Sequence, residues 1–182
     1  MEERIATLIE KLNILIAAEY KTPANRIIDD PTFSNKISLS DLKNFEVRIG
    51  TELPVEFREF LLHIGTRIGP DYVFFPRQKM IDIYNGWLEP FDKDTKMSAP
   101  FALSTEDATE LIDLKIKLPN RSHYKPLPNI NGILPLTTEG CTYYSYLVLN
   151  GEQKGKVWLL NTAVGFDTMP AGLNREFSFF DW

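Results

Sequence analysis

Ile5, Leu8, Ile9, Leu12, Leu15 and Ile16 recur at helical spacing, with Glu2, Glu3, Glu10 and Lys11 on the other faces. This pattern predicts an amphipathic first helix ending near Tyr20, since Thr22-Pro23 disfavours continuation. Thr22 to Lys36 is polar and has two prolines, so it reads as a loop. A pair of short helices follows. Ser40 is the expected cap of the first, whose apolar stripe is Leu42, Phe45 and Ile49, and Gly50 suits the left-handed position past its end. Pro54 is expected at the first position of the second, whose stripe is Phe57, Phe60, Leu61 and Ile64, followed by Gly65. So close a spacing predicts a tight αα corner.

Tyr72 to Pro76 reads as a short strand, with Met80 to Tyr84 continuing it or starting a turn. Pro90 to Pro100 is a charged loop. Ser104 is placed to cap a helix running to about Lys117, with Ala108, Leu111, Ile112 and Lys115 along one side, and Pro119 to Asn131 is an aperiodic loop. The last third is β-rich. Strands are expected at Ile133–Leu136, Tyr143–Leu149 and Lys156–Leu160, the last two joined by a hairpin-like connection, Asn150 to Gly155. Both faces of these last two are largely apolar or aromatic, which predicts central positions in a sheet. The sequence ends on Phe177-Ser178-Phe179-Phe180-Asp181-Trp182.

Composition turns these elements into an expected α+β domain. The 182 residues fit one domain, and a hydrophobic share of 43% with 25% charged residues is ordinary for a globular chain. Lone Cys141 forms no internal disulfide, which argues for a reducing compartment. Met1-Glu2-Glu3-Arg4 is not a basic secretory leader, and no apolar run approaches the ~20 residues of a membrane span. A soluble, cytoplasmic protein is expected, and the Asn120-Arg121-Ser122 sequon has no role in that setting.

Charge changes the picture more. The net charge is −5, and all of it lies between Glu89 and Asp113, where Glu89, Asp92, Asp94, Glu106, Asp107, Glu110 and Asp113 face only Lys93 and Lys96. Phosphate backbones would be repelled there, so direct nucleic-acid binding is not expected. Two readings remain open. The acids form a solvated, solubilising surface, or they form a binding surface for a basic protein partner, with Trp87 beside them as an aromatic anchor. The second reading names Trp87, Glu89, Asp92, Asp94, Glu106, Glu110 and Asp113.

Catalytic chemistry is hard to find. The chain has no Cys pair, no His pair at i, i+4, no Gly-x-Ser-x-Gly and no Gly-x-Gly-x-x-Gly. Gly151 to Lys156 is one residue too short for a phosphate loop, and Val157 stands where a metal-binding hydroxyl is needed. The acids around Glu89–Asp94 match no calcium loop. His63 lies beside an apolar stripe and is expected in a packed or boundary position, whereas His123 lies in a loop, and pairing of a histidine with Cys141 or a serine lacks any supporting motif. No catalytic residue, metal or cofactor is expected. Tyr143, Tyr144, Tyr146 and Trp158 on adjacent strands fill a core or serve as exposed anchors, with the core reading favoured.

The order Glu46-x3-Gly50-x2-Leu53-Pro54-x2-Phe57-x2-Phe60-Leu61-x3-Gly65 resembles the N-terminal signature of the SUKH superfamily, also called the Smi/Knr family. Ile133-Leu134-Pro135-Leu136, Gly140, Gly155-Lys156-Val157-Trp158 and Ser178-Phe179 follow in the family's order, so the resemblance spans about Ile37 to Trp182. Residues 1–36 then form an N-terminal helix and loop before a family-like core at 37–182. The turn Gly65 to Pro70 and the inserts at Pro90–Pro100 and Pro119–Asn131 depart from the family, as does the stop at Trp182 where members commonly continue into a helix. The resemblance implies a single α+β domain with a mixed, mainly antiparallel β-sheet and helices packed against it. It also implies a non-catalytic protein binder, most often an immunity protein that neutralises a polymorphic toxin, frequently a nuclease. A regulatory scaffold of the same fold is the alternative, and an unrecognised hydrolase using His63 or His123 stands behind both. No functional residue carries over, because Gly50, Leu53, Pro54, Phe57, Gly65, Gly155 and Trp158 read as turns and core.

Overall fold

The computed structural model describes residues 1–20, 36–68, 72–73, 96–104, 106–107, 131–138, 143–161, 167–171 and 177–181. Three helices come first: α1 (Glu2–Tyr20), α2 (Leu39–Ile49) and α3 (Val55–His63). Six strands follow: β1 (Arg67–Ile68), β2 (Tyr72–Val73), β3 (Ile133–Thr138), β4 (Tyr143–Val148), β5 (Val157–Asn161) and β6 (Asp167–Pro170). β1 and β2 form a small antiparallel pair, and the main sheet runs β3-β4-β5-β6 with every neighbour antiparallel. The fold is α+β as expected. No parallel pairing occurs among the described strands, so the mixed component is not seen there.

The αα corner forms where the sequence puts it, with two shifts at the helix starts. Ser38, not Ser40, caps α2: its Oγ accepts the Asp41 N–H at 3.1 Å, and Ser40 lies inside the helix. Ser38-x-x-Asp41 has capping-box spacing, with an acid at the third helical position, while Ser40 has Lys43 there. Pro54 is the N-cap of α3 and not its first helical residue, held at ψ 141 with Val55 starting the helix. Gly50 ends α2 at φ 70, ψ 21, a left-handed conformation that costs a residue without Cβ nothing.

Leu42, Phe45, Ile49, Phe57, Phe60, Leu61 and Ile64 are all buried and share one core with Leu134, Leu136, Leu147, Leu149 and Val157. The helix pair therefore packs on one face of the sheet. Phe179, from the C-terminal turn, joins edge-on to the rings of Phe57 and Phe60 at 4.9 and 5.0 Å. β4 and β5 are the central strands, as their two apolar faces required. The opposite sheet face is buried too: Tyr146 and Trp158 stand directly across from each other, and Phe101 meets Trp158 edge-on at 4.9 Å. Hydrophobic runs without alternation are what a sheet covered on both faces demands.

Two strands were not foreseen. β6 is short and carries Asp167 and Thr168, and Pro170 at its end lacks a ladder donor, which the outer position tolerates. β1 lies in what reads as the Gly65–Pro70 turn, and its register with β2 pairs Ile68 with Tyr72. The remainder of the Tyr72–Pro76 strand, Met80 to Tyr84 and the Pro119–Asn131 loop up to residue 130 fall outside the described residues.

Candidate partner-binding surface

Glu106 is the one residue of the expected binding surface within the described residues, and it is exposed. Trp87, Glu89, Asp92, Asp94, Glu110 and Asp113 lie outside them. Beside Glu106, Ser104 caps the expected helix start reciprocally: its Oγ accepts the Asp107 N–H at 3.1 Å, and its own N–H donates to Asp107 Oδ2 at 2.7 Å. The Ser104 backbone N–H first, and its hydroxyl second, hold the Asp107 carboxyl below the ordinary value of 3.8. Asp107 is therefore engaged with the helix start, and Glu106 next to it projects into solvent. The rest of the helix towards Lys117 lies outside the described residues.

The second half of the expected charged loop is docked. Met97 is buried, Lys96 N donates to Asn131 Oδ1 at 2.8 Å and Gly132 N donates to the Lys96 carbonyl at 2.9 Å. Asn150 holds the same segment from the other side, donating to the Met97 carbonyl at 2.7 Å and accepting from Thr51 Oγ1 at 2.8 Å. Gly132 sits at φ 68, and a Cβ there would collide with the Ala99 carbonyl and the Phe101 N–H. Lys96 to Phe101 thus divides the acidic stretch with an anchored, partly buried turn. Periodicity does not reveal it, because the anchoring partners are thirty or more residues away in sequence.

Buried polar groups serve the framework. Glu46, 8% exposed, accepts the Leu53 N–H at 2.8 Å and receives Arg58 Nη1 on both oxygens at 2.8 and 3.0 Å. One carboxylate thereby braces the α2–α3 corner. Its signal was present in the sequence as the Glu46 of the helix-pair signature, where it reads only as a spacing. Tyr146 and Trp158 are core residues, at 1% and 0% exposed, so they are not available as anchors. His63 corrects its expectation: its side chain is 53% exposed and faces Glu59 Oε2 at 3.3 Å. On so short a helix the stripe through Phe57, Phe60, Leu61 and Ile64 leaves Glu59 and His63, four apart, on a wet flank. His123 and Cys141 lie outside the described residues. Among the described residues, no group of three or more histidine, cysteine, aspartate or glutamate side chains is placed to hold a metal ion, and no helix is long and apolar enough to cross a membrane.

The model of the SMI1 / KNR4 family (SUKH-1) matches residues 36–177. The chain belongs to this family. The SUKH-1 match begins after α1 and ends at Phe177, so α1 and the turn carrying Phe179 and Phe180 lie outside it. No curated protein and no solved structure gives a significant match to the chain.

Proposed function

We propose that this SUKH-1 protein is a non-catalytic protein-binding domain of the immunity type, which neutralises a toxin domain in the cytoplasm by occupying its working surface. The observation that carries the reading is membership of the SMI1 / KNR4 family across residues 36–177. The polar chemistry agrees with it. Glu46, Arg58, Asn150 and the Ser104–Asp107 pair each hold a turn or helix end in place, which is a rigid frame's use of polar side chains.

The concentration of acid between Glu89 and Asp113 suits a partner with a basic surface, such as a nuclease, whose substrate phosphates the carboxylates would imitate. Trp87, Glu89, Asp92, Asp94, Glu106, Glu110 and Asp113 are its proposed contacts, and neither metal nor cofactor takes part. The test is mixing the purified chain with the toxin domain encoded beside its gene. A stoichiometric complex with the toxin silenced is expected, and full toxin activity at saturating chain would overturn the reading. Charge then locates the surface, because complementary charge lifts association towards roughly 10⁸ M⁻¹s⁻¹ at low salt. Asp92→Asn/Asp94→Asn or Glu106→Gln/Glu110→Gln should slow association and flatten its salt dependence. Unchanged rates in both would remove the acidic segment from the interface without touching the binding reading.

A further inference from the structure

α1 and the turn carrying Phe179 and Phe180 meet at α3, where they are held by different means. The turn is tied by main chain and ring packing. Val157 N donates to the Phe177 carbonyl at 3.0 Å, Phe179 N donates to the Gly155 carbonyl at 3.1 Å, and buried Phe179 meets Phe57 and Phe60 edge-on. The turn also closes on itself: Ser178 Oγ donates to Asp181 Oδ2 at 2.8 Å, and Asp181 N donates to the Ser178 carbonyl at 3.1 Å. α1 instead buries Ile5 and rests Leu8, Ile9 and Leu12, each half-buried, against the core. Among its described side chains, Arg4 is the one with a polar contact to another element.

Every contact of Arg4 leads to the turn. Its guanidinium lies 3.8 Å from Asp181 Oδ1, 5.2 Å from the centre of the Phe180 ring, and against Glu56 Oε1 on α3. Glu56 is itself placed by the turn, because its other oxygen accepts the Phe180 N–H at 3.0 Å. Asp181 is placed likewise, through the oxygen bonded to the Ser178 hydroxyl.

We infer that these groups form a one-way latch: closure of the C-terminal turn builds the acidic and aromatic socket that Arg4 enters, so α1 docks only as firmly as the turn is closed, whereas the turn stays closed without α1. The direction has a physical cause. A carboxylate already held by an N–H or a hydroxyl has little freedom left to lose when it binds a guanidinium, and on a loosened turn that ordering must come first. The turn keeps its own hydrogen bonds and its buried phenylalanine when Arg4 leaves. A change at Ser178 is thereby transmitted to α1, with which Ser178 makes no hydrogen bond. The latch goes beyond the binding reading and does not rest on it.

The test is amide hydrogen exchange on the full chain, which reads the opening of each segment separately. Arg4→Ala should speed exchange across α1 about three- to tenfold, as expected for one half-exposed ion pair with a cation–π contact, while the Phe179 amide keeps its rate. Ser178→Ala should speed both the turn and α1, by the roughly two- to tenfold that one hydrogen bond is worth. Glu56→Gln keeps an acceptor for the Phe180 N–H and should release α1 with the turn closed. Glu56→Ala should loosen the Phe180 amide as well and release α1 further. Wild-type α1 rates in Ser178→Ala overturn the latch, as do α1 rates that rise only in step with those of α3, which is global unfolding. A Phe179 amide that speeds up with α1 in Arg4→Ala overturns its direction. Equal α1 rates in the two Glu56 variants do the same without relying on Ser178.

Discussion

The longest apolar stripe in the sequence belongs to α1, yet among the described helices the deepest burial belongs to α2 and α3. The stripes of these two short helices, Leu42, Phe45, Ile49, Phe57, Phe60, Leu61 and Ile64, are all inside the core, whereas among the described side chains of α1 only Ile5 is fully buried and Leu15 is 64% exposed. Periodicity reports which side of a helix prefers to leave water. It says nothing of how much surface is available to cover that side, and the cover for α2 and α3 is a whole sheet face. The corner also has a device that α1 lacks, a buried carboxylate serving both helices and the link between them.

The sharpest break of this comparison is a matched pair of truncations. Leu61→Ala should cost about 2–5 kcal/mol in equilibrium unfolding, as a buried large-to-small change does. Ile5→Ala, although nearly as buried, should cost at least about 1 kcal/mol less, because its neighbours Leu8, Ile9 and Leu12 are only partly buried and can close over the space it leaves. Equal losses would mean that α1 is as integral as α3.

Next comes the brace. Glu46→Ala leaves the buried Leu53 N–H without an acceptor and should cost about 1–3 kcal/mol. Glu46→Gln keeps an acceptor there and should recover part of the loss in denaturant titration. If glutamine proves as damaging as alanine, the Arg58 pairing and not the Leu53 hydrogen bond is the greater part of the brace.

A smaller effect separates the two serines before α2. Ser38→Ala should lose about 1 kcal/mol as an N-cap deletion, and Ser40→Ala, inside the helix, a few tenths at most. Thermal unfolding of both variants reads this directly, and the reverse order would return the cap to Ser40. The smallest change expected is Leu15→Ala, within about 0.5 kcal/mol of wild type despite its place on the stripe. A loss above about 1.5 kcal/mol would show that the end of α1 is packed in solution.

Gly50, the Ser104 cap and the turn-flanked strands were legible because their causes are local, whereas the start of α2 was placed two residues late, at Ser40 instead of Ser38. Gly50 ends a helix for reasons found within four residues of it, and Tyr143–Leu149 and Lys156–Leu160 are hydrophobic on both faces whatever lies opposite. The same local logic fails for β6, whose polar residues form a strand because β5 offers them an open edge. His63 illustrates the finer limit: its neighbours in sequence are apolar, but its neighbours in space are Glu59 and water. For the candidate surface, sequence alone shows that the acid is concentrated between Glu89 and Asp113, since charge needs no folding to be counted.

What the chain determines by itself, then, is the family, the α+β class, the braced corner's order of residues and the imbalance of charge, each written in composition or in spacings of a few positions. Only the tertiary structure decides that Lys96 to Phe101 is anchored, that Glu46 spans two helices and a turn, and that Arg4 joins both ends of the chain through Glu56 and Phe180. The reason is physical. A hydrogen bond or an ion pair depends on positions a few ångströms apart, and for these groups the separations along the chain run from seven residues to more than a hundred. Local propensity has no access to such distances until the hydrophobic core has brought the segments together.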